Sequence, residues 1–166
     1  MADFDWNNWQ LLVIILMMLA AVALYRLFRG REEFPYTRRK KLMTRSEIEF
    51  FRVLRDAVNN DWEIFAMVRI ADLLAVPGDT GNQQSWLNRI LSKHVDFVIC
   101  DRDSLEILVA IELDDASHSR PDRVERDAFV NDAFADARLP LLRIPVSDSY
   151  DKSRLRRSIE DAISGD

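Results

Sequence analysis

The sequence of 166 residues has a single cysteine, Cys100, so an internal disulfide is excluded and a reducing compartment is favoured. Internal repeats and low-complexity tracts are absent as well. The length leaves no room for a second ordinary domain beside a membrane segment, because one hydrophobic core typically needs about 100 to 150 residues. The sequence therefore predicts one domain.

Positive charge is scarce over most of the chain. Residues 46–166 hold 15 basic and 24 acidic side chains, a net charge of −9. A surface that binds duplex nucleic acid normally carries clustered Lys and Arg, so this balance argues against a general DNA-binding protein. A local basic patch is still compatible with it. The candidates are the basic segment 26–45, Arg89, Lys93, Arg120, Arg123 and Arg126.

One long hydrophobic run lies near the N-terminus. Residues 11–25 are all apolar or aromatic, and 9–28 would span about 30 Å as a helix, the thickness of the bilayer core. A buried core helix is disfavoured because the run has no polar face. A secretory signal peptide, the main alternative, would need basic residues before the run, where the sequence has Asp3 and Asp5. We therefore expect one transmembrane helix.

The segment 26–45, with eight basic and two acidic residues, predicts the orientation. Positive charge stays on the cytoplasmic side, so we expect the N-terminus outside and the domain in the cytoplasm, at a bacterial inner membrane. Contact with anionic lipid is the first interpretation of the basic segment, because the segment adjoins the predicted span. Binding of nucleic acid is the second. We therefore expect four segments: an extracytoplasmic tip at 1–8, a transmembrane helix at 9–28, a basic juxtamembrane linker at 29–43 and an α/β domain at 44–166.

The domain is predicted to have the order α-β-β-β-α-β-α. Thr44 and Glu47 form a capping-box pattern before the first helix, and Ser119 with Pro121 opens the second. A cluster of Gly, Pro and polar residues predicts a loop at 77–84. The predicted helices are 45–58, 119–138 and 152–163, and the predicted strands are 62–70, 95–100, 107–113 and 141–144.

Two carboxylates stand among aliphatic residues in the second and third strands. If the hairpin loop is 102–106, Asp101 pairs with Ile107 and Asp96 lies directly opposite Glu112, with Cβ atoms about 5 Å apart. Two carboxylates so placed repel each other unless a cation lies between them. Mg²⁺ (or Mn²⁺) is the natural candidate, because it takes one or two carboxylates and completes its shell with water and phosphate oxygens.

The alternative for this pair is structural. Buried charges are usually paired, so Asp96 and Glu112 are also expected as partners of an arginine such as Arg69 or Arg143.

The stretch Val95-Asp96-Phe97-Val98, followed by 111–118 (IELDDASH) and by Leu142-Arg143-Ile144, resembles the PD-(D/E)xK, or restriction-endonuclease-like, superfamily. More narrowly, it resembles the branch with very-short-patch-repair-like endonucleases and a bacterial domain family of unknown function. The resemblance covers approximately residues 42–146. It implies a restriction-endonuclease-like mixed four-stranded sheet flanked by helices, here preceded by a transmembrane helix.

The resemblance also implies site roles. Asp96 and Glu112 would be the metal ligands, and Glu47 the first-helix acid aimed at the metal. Asp114 stands where many members have the lysine that orients the attacking water. His118 would then supply that role, as a general base or a group that steers the water.

Each role has a structural alternative. Glu47 is explained by the capping box alone, and Asp114 with Asp115 by the start of a turn. A lone histidine such as His118 is more often structural. Asp127, with Arg126, is interpreted as a solvated helix face.

The sequence therefore leaves three alternative functions. The first is a Mg²⁺-dependent phosphodiesterase acting on nucleic acid at the membrane. The second is a non-catalytic module with the same fold that binds a protein or nucleic acid, which the absent lysine and the acidic balance favour. The third is a membrane-bound nucleotide sensor that uses the same metal site. Close, accessible carboxylates at Asp96 and Glu112 favour the first, and carboxylates paired with arginine favour the second.

Overall fold

The computed structural model describes residues 8–29, 34–114 and 121–165, with the backbone alone for 121–125. The chain divides into two compact units, Met1–Lys40 and Lys41–Asp166.

The first unit contains helix α1, Asn8–Phe28. Its most apolar stretch of 18 residues has a mean hydropathy of 2.6, and no residue of α1 is buried, so the helix is long and apolar enough to cross a membrane. The helix is compatible with the predicted single-pass anchor, although a signal sequence shares this length and composition. The orientation remains a prediction.

The second unit is a mixed α/β domain, as predicted, with a four-stranded sheet in the order β1-β2-β3-β4. β1, β2 and β3 are antiparallel, and β4 runs parallel to β3. The strands are β1 Trp62–Arg69, β2 His94–Asp101, β3 Ile107–Asp114 and β4 Leu141–Pro145. The helices are α2 Arg45–Val58, α3 Ile70–Leu73, α4 Gln83–Leu91, α5 Pro121–Asp136 and α6 Lys152–Ser164.

Helices cover the sheet on both faces, because the central strands are apolar on both sides. On one face, α2 and α6 bury Phe50, Leu54 and Ile159 against Phe97 and Ile111. On the other face, α3, α4 and α5 form the second core layer. Its buried members are Ile70, Leu74, Ile90, Val95, Val98, Cys100, Ala110, Val130 and Phe134.

The predicted capping box of α2 is confirmed. The Thr44 hydroxyl accepts from the backbone N–H of Glu47, and the Glu47 carboxylate accepts from the backbone N–H of Thr44 at 2.8 Å. The predicted Ser119 cap of α5 lies outside the described residues.

Two short helices, α3 and α4, were not predicted. The predicted loop 77–84 was too long, because α4 begins within it at Gln83. α4 follows Asn82, which has a left-handed φ of 56° and makes no side-chain cap hydrogen bond, so the usual start signal is absent.

The β2–β3 hairpin corrects the predicted pairing beside its loop. Ile107 pairs with Cys100 rather than with Asp101. Asp101, the last residue of β2, instead holds the turn: its Oδ1 accepts from the backbone N–H of Ser104 at 2.8 Å and from the Ser104 hydroxyl at 2.7 Å. An irregularity between Ile99 and Cys100 then restores the predicted register. The pairs that follow it are Ile99 with Val109, Val98 with Ala110 and Phe97 with Ile111.

Candidate functional site

The hairpin register brings Asp96 and Glu112 to the same end of β2 and β3. Both residues lie one position beyond the paired Phe97 and Ile111, and both are half-buried. A cross-strand placement of this kind keeps two carboxylates close to each other in a partly desolvated setting.

Asp96 is held by a backbone hydrogen bond. Its Oδ2 accepts from the backbone N–H of Leu113 at 2.7 Å, across the strand pair. Burial raises the pKa of Asp96, and the charges of Glu47 and Asp114 raise it further, while the Leu113 N–H and His94 act in the opposite direction. In the described part of the chain no cation forms an ion pair with this carboxylate.

Glu112, in contrast, is paired with an arginine. It lies opposite Arg143 on the neighbouring parallel strand β4, and Arg143 Nη2 is 2.9 Å from Glu112 Oε2. Nη1 of the same arginine donates to Asp114 Oδ1 at 2.8 Å. Of the two arginines expected as alternative partners, Arg143 therefore fills that role, whereas Arg69 pairs with Asp72.

Helix α5 adds two more groups to Arg143. Its Nε donates to Asn131 Oδ1 at 2.8 Å, and Asp127 Oδ1 lies 3.8 Å from its Nη2. Asp127, interpreted from sequence as part of a solvated face, is 37% exposed and also faces Arg143. The four-residue spacing of Asp127 and Asn131, which places both on one side of a helix, was the available signal.

Among the described residues, the result is an acidic cluster with one cation, defined here as Asp96, Glu112, Asp114 and Asp127 around Arg143. Burial raises the pKa of Glu112; Arg143 lowers it, and the three other carboxylates of the cluster raise it. The Arg143 Nη2 atom is buried and makes no well-aligned hydrogen bond to the part of the chain that the structure describes, despite its short distance to Glu112. The cluster thus holds more negative charge than one guanidinium compensates.

Glu47 has a confirmed structural role and also contributes to the potential at this cluster. Its carboxylate caps α2, and its charge reaches Asp96 closely enough to raise that pKa. Asp114 ends β3 with its carboxylate on Arg143. His118 lies outside the described residues.

The carboxylates of the cluster offer few ligands for a hard cation such as Mg²⁺. Among the described residues, no three His, Cys, Asp or Glu side chains are grouped so that they could hold a metal. Mg²⁺ needs only one or two protein carboxylates, since it retains several waters. Asp96 and Glu112 satisfy that requirement, with Arg143 as a competing cation for Glu112.

Replacement of Asp96 by Asn is expected to stabilise the folded state at neutral pH by about 1 kcal/mol. The raised pKa means that ionisation of Asp96 costs more in the folded than in the unfolded protein, while an Asn oxygen still accepts from Leu113. The contribution of Asp96 to stability should therefore fall as pH rises from 3.8, the reference pKa, through its raised pKa in the folded protein.

The advantage of the Asn variant should consequently appear above that pH and vanish below it. Denaturant unfolding across a pH series measures both effects, with Asp103→Asn, at an exposed loop position, as the matched control. A variant that loses stability at neutral pH would contradict this electrostatic account.

Residues 39–163 match the family described as Protein of unknown function (DUF2726). The chain belongs to this family. The DUF2726 match contains the whole sheet and the acidic cluster, and it excludes α1. No curated protein and no solved structure matches the chain. The likeness to the PD-(D/E)xK superfamily therefore rests on the residue pattern alone.

Proposed function

We propose that the DUF2726 domain of this chain is a membrane-anchored, Mg²⁺-dependent nuclease-like domain that hydrolyses phosphodiester bonds of nucleic acid. The observation that carries the proposal is the placement of Asp96 beside Glu112 at one end of two apolar strands, with the pKa of both carboxyls raised. Charged groups in such a setting are costly unless they serve a ligand or a partner. Three antiparallel strands with a fourth parallel to the third are also compatible with a restriction-endonuclease-like sheet.

In this proposal Asp96 and Glu112 hold the cation. The bound ion would lower the pKa of a water molecule and stabilise charge developing on the phosphate. Asp96 is oriented for this role by the Leu113 N–H, at 2.7 Å. Arg143 brings a permanent positive charge to Asp114, the position where the resembling family often has lysine, and it would contact a phosphate oxygen. His118 is proposed as the general base.

The second candidate is a non-catalytic module that binds protein or nucleic acid at the membrane. It is favoured by a specific contact: Arg143 already pairs with both Glu112 and Asp114. An arginine bound in this way compensates part of the negative charge of the cluster without metal, and truncation of one partner would then cost stability rather than activity.

The location proposed for either function is the cytoplasmic face of the inner membrane. α1 would be the anchor, and the basic segment 26–45 would remain on the cytoplasmic side. The linker 29–43 would extend roughly 20 Å on average if it is flexible, so the substrates would be those that come close to the bilayer.

The test is Mg²⁺ and Mn²⁺ binding by calorimetry, together with cleavage of labelled single-stranded and duplex oligonucleotides, using the full chain in a mild detergent. Asp96→Ala and Glu112→Ala should each abolish cleavage and weaken metal binding, while Asp103→Ala should match the unsubstituted protein. Cleavage that survives both site substitutions, or no metal affinity in the parent protein, would exclude the enzymatic function and leave the non-catalytic module.

A further inference from the structure

A groove of about 710 Å³ lies between α4 and α5, on the sheet face opposite α2 and α6. Its floor is apolar and includes Leu74, Val76 and Ala133. Trp86, at its rim, is 44% exposed, a large fraction for the largest aromatic side chain. Such a combination of a concave apolar floor and an accessible indole is typical of ligand sites.

Arg89 is fixed between two aromatic rings at this rim. Its guanidinium carbon lies 3.8 Å from the ring centroid of Phe129 and 5.0 Å from that of Trp86. Guanidinium groups stack on aromatic faces in this way and keep their N–H donors available at the edge. The ammonium of Lys93 lies 5.5 Å from the same Phe129 ring and donates to the Arg89 carbonyl.

Arg89, Lys93 and Arg126 form a basic patch in an otherwise acidic domain. Desolvation lowers the pKa of Lys93, and the charges of Arg126 and Arg89 lower it further, so the three cations are close enough to repel one another. Within residues 34–114 and 126–165, none of them forms an ion pair with a carboxylate. Cations that are held together in this way, without a carboxylate partner in those ranges, are an anion-binding feature.

The basic patch continues toward the acidic cluster. Lys93 directly precedes β2, three positions before Asp96. On α5, Arg126 precedes Asp127, whose carboxylate is 3.8 Å from Arg143. The basic patch and the acidic cluster thus share two elements, β2 with the residue before it and α5.

We propose that this groove binds an unpaired strand of nucleic acid, with one base stacked on Trp86 and its phosphates on Arg89, Lys93 and Arg126. The inference rests on the proposed function and names its substrate class, a single strand. Only an unpaired base can reach the exposed indole face, and stacking of this kind is tolerant of sequence. A duplex presents its phosphates but keeps its bases stacked on each other.

Anionic lipid is the other class of ligand that a basic surface with aromatic residues can bind. Two observations disfavour it here. The site is a concave groove rather than a flat or protruding face, and Asp132 and Asp136 also line it, which would repel a continuous anionic surface. A single strand of nucleic acid, in contrast, can place its phosphates on the basic patch. Its base edges, which carry amino donors, can then face Asp132 and Asp136.

The test uses the full chain in nonionic micelles and a labelled single strand of about 12 nucleotides, with EDTA present so that cleavage does not contribute. Fluorescence anisotropy should show that Trp86→Ala weakens binding about tenfold and that Trp86→Phe restores most of it. Arg126→Gln should weaken binding and reduce the salt dependence by about 0.7 in the slope of log K against log salt.

Arg157→Gln, an exposed arginine on α6, is the matched control and should bind like the unsubstituted protein. A hairpin duplex should bind more weakly than the strand. If Trp86→Ala and Arg126→Gln both bind the strand as tightly as the unsubstituted protein does, the inference is refuted. Any affinity would then be assigned to the basic segment 26–45. Trp86-dependent binding of a fluorescent short-chain phosphatidylglycerol, without binding of the oligonucleotide, would assign the groove to lipid instead.

These outcomes are distinct from those of the cleavage assay. A protein that binds the strand through Trp86 but neither binds metal nor cleaves would exclude only the proposed catalysis. A protein that cleaves without any dependence on Trp86 or Arg126 would exclude only this groove.

Discussion

Replacement of Arg143 by Met is expected to lower the free energy of unfolding by about 2 to 3 kcal/mol at neutral pH. Met preserves most of the side-chain volume but removes the charge that Glu112 and Asp114 share. The side chains of Arg143 and Glu112 are only 22% and 15% exposed, so water replaces the lost partner poorly. The cost is below that of a fully buried pair because Asp114 is 46% exposed.

The loss should shrink as pH falls. Burial and the neighbouring carboxylates raise the pKa of Glu112, and removal of Arg143 removes a contribution that lowers it. Protonation of Glu112 then leaves no uncompensated charge, so the variant gains stability relative to the unsubstituted protein below the raised pKa.

Denaturant unfolding of the full chain in detergent, at neutral and acidic pH, measures this effect. The double substitution Arg143→Met with Glu112→Gln should recover most of the lost stability, because it removes both charges. Arg157→Met is the control for loss of an exposed arginine. A loss that is the same at every pH would mean that Arg143 acts through packing and not through its charge.

Replacement of Phe50 by Ala is expected to lower the free energy of unfolding by about 3 to 5 kcal/mol. Phe50 is fully buried at the centre of the α2–α6 layer, with ring centroids 5.5 Å from Phe97 and 5.0 Å from Tyr150. Truncation would leave a cavity and remove two aromatic contacts at once. Phe50 also anchors α2, so the loss should appear as one cooperative transition.

Phe65→Ala makes the same chemical change at a residue that is 44% exposed, and it should cost far less. Near-ultraviolet circular dichroism follows tertiary packing and separates this unfolding from the helicity of α1 in detergent. Equal losses for the two substitutions would contradict the burial that the structure assigns to Phe50.

The local part of this site was predictable from sequence. Side-chain alternation along β2 and β3 and the short hairpin between them were sufficient to place Asp96 near Glu112. The pairing beside the loop was not predictable in the same way. There the Asp101 carboxylate binds the turn and displaces Ile107 by one position, a competition between side chain and backbone that periodicity does not reveal.

The non-local part required the structure. Arg69 and Arg143 were equivalent candidates in the sequence, and only the parallel alignment of β3 with β4 selects Arg143. Asp127 and Asn131 share a helix face in any register, but the direction of that face depends on how α5 packs on the sheet. The basic patch was not predictable as a unit, because it depends on α4, a short helix without a side-chain cap. Only the structure shows that α4 brings Arg89 to Phe129.

The Leu113 amide makes the ionisation of the acidic cluster observable at a single backbone position. Its N–H donates to Asp96 Oδ2 at 2.7 Å, and a bond to a carboxylate is stronger than one to a protonated carboxyl. The chemical shift of that proton should consequently titrate with Asp96. Its exchange with solvent should slow whenever a bound cation keeps the Asp96 carboxylate charged. One resonance would thus report on metal and on pH, without a substrate or a cleavage assay.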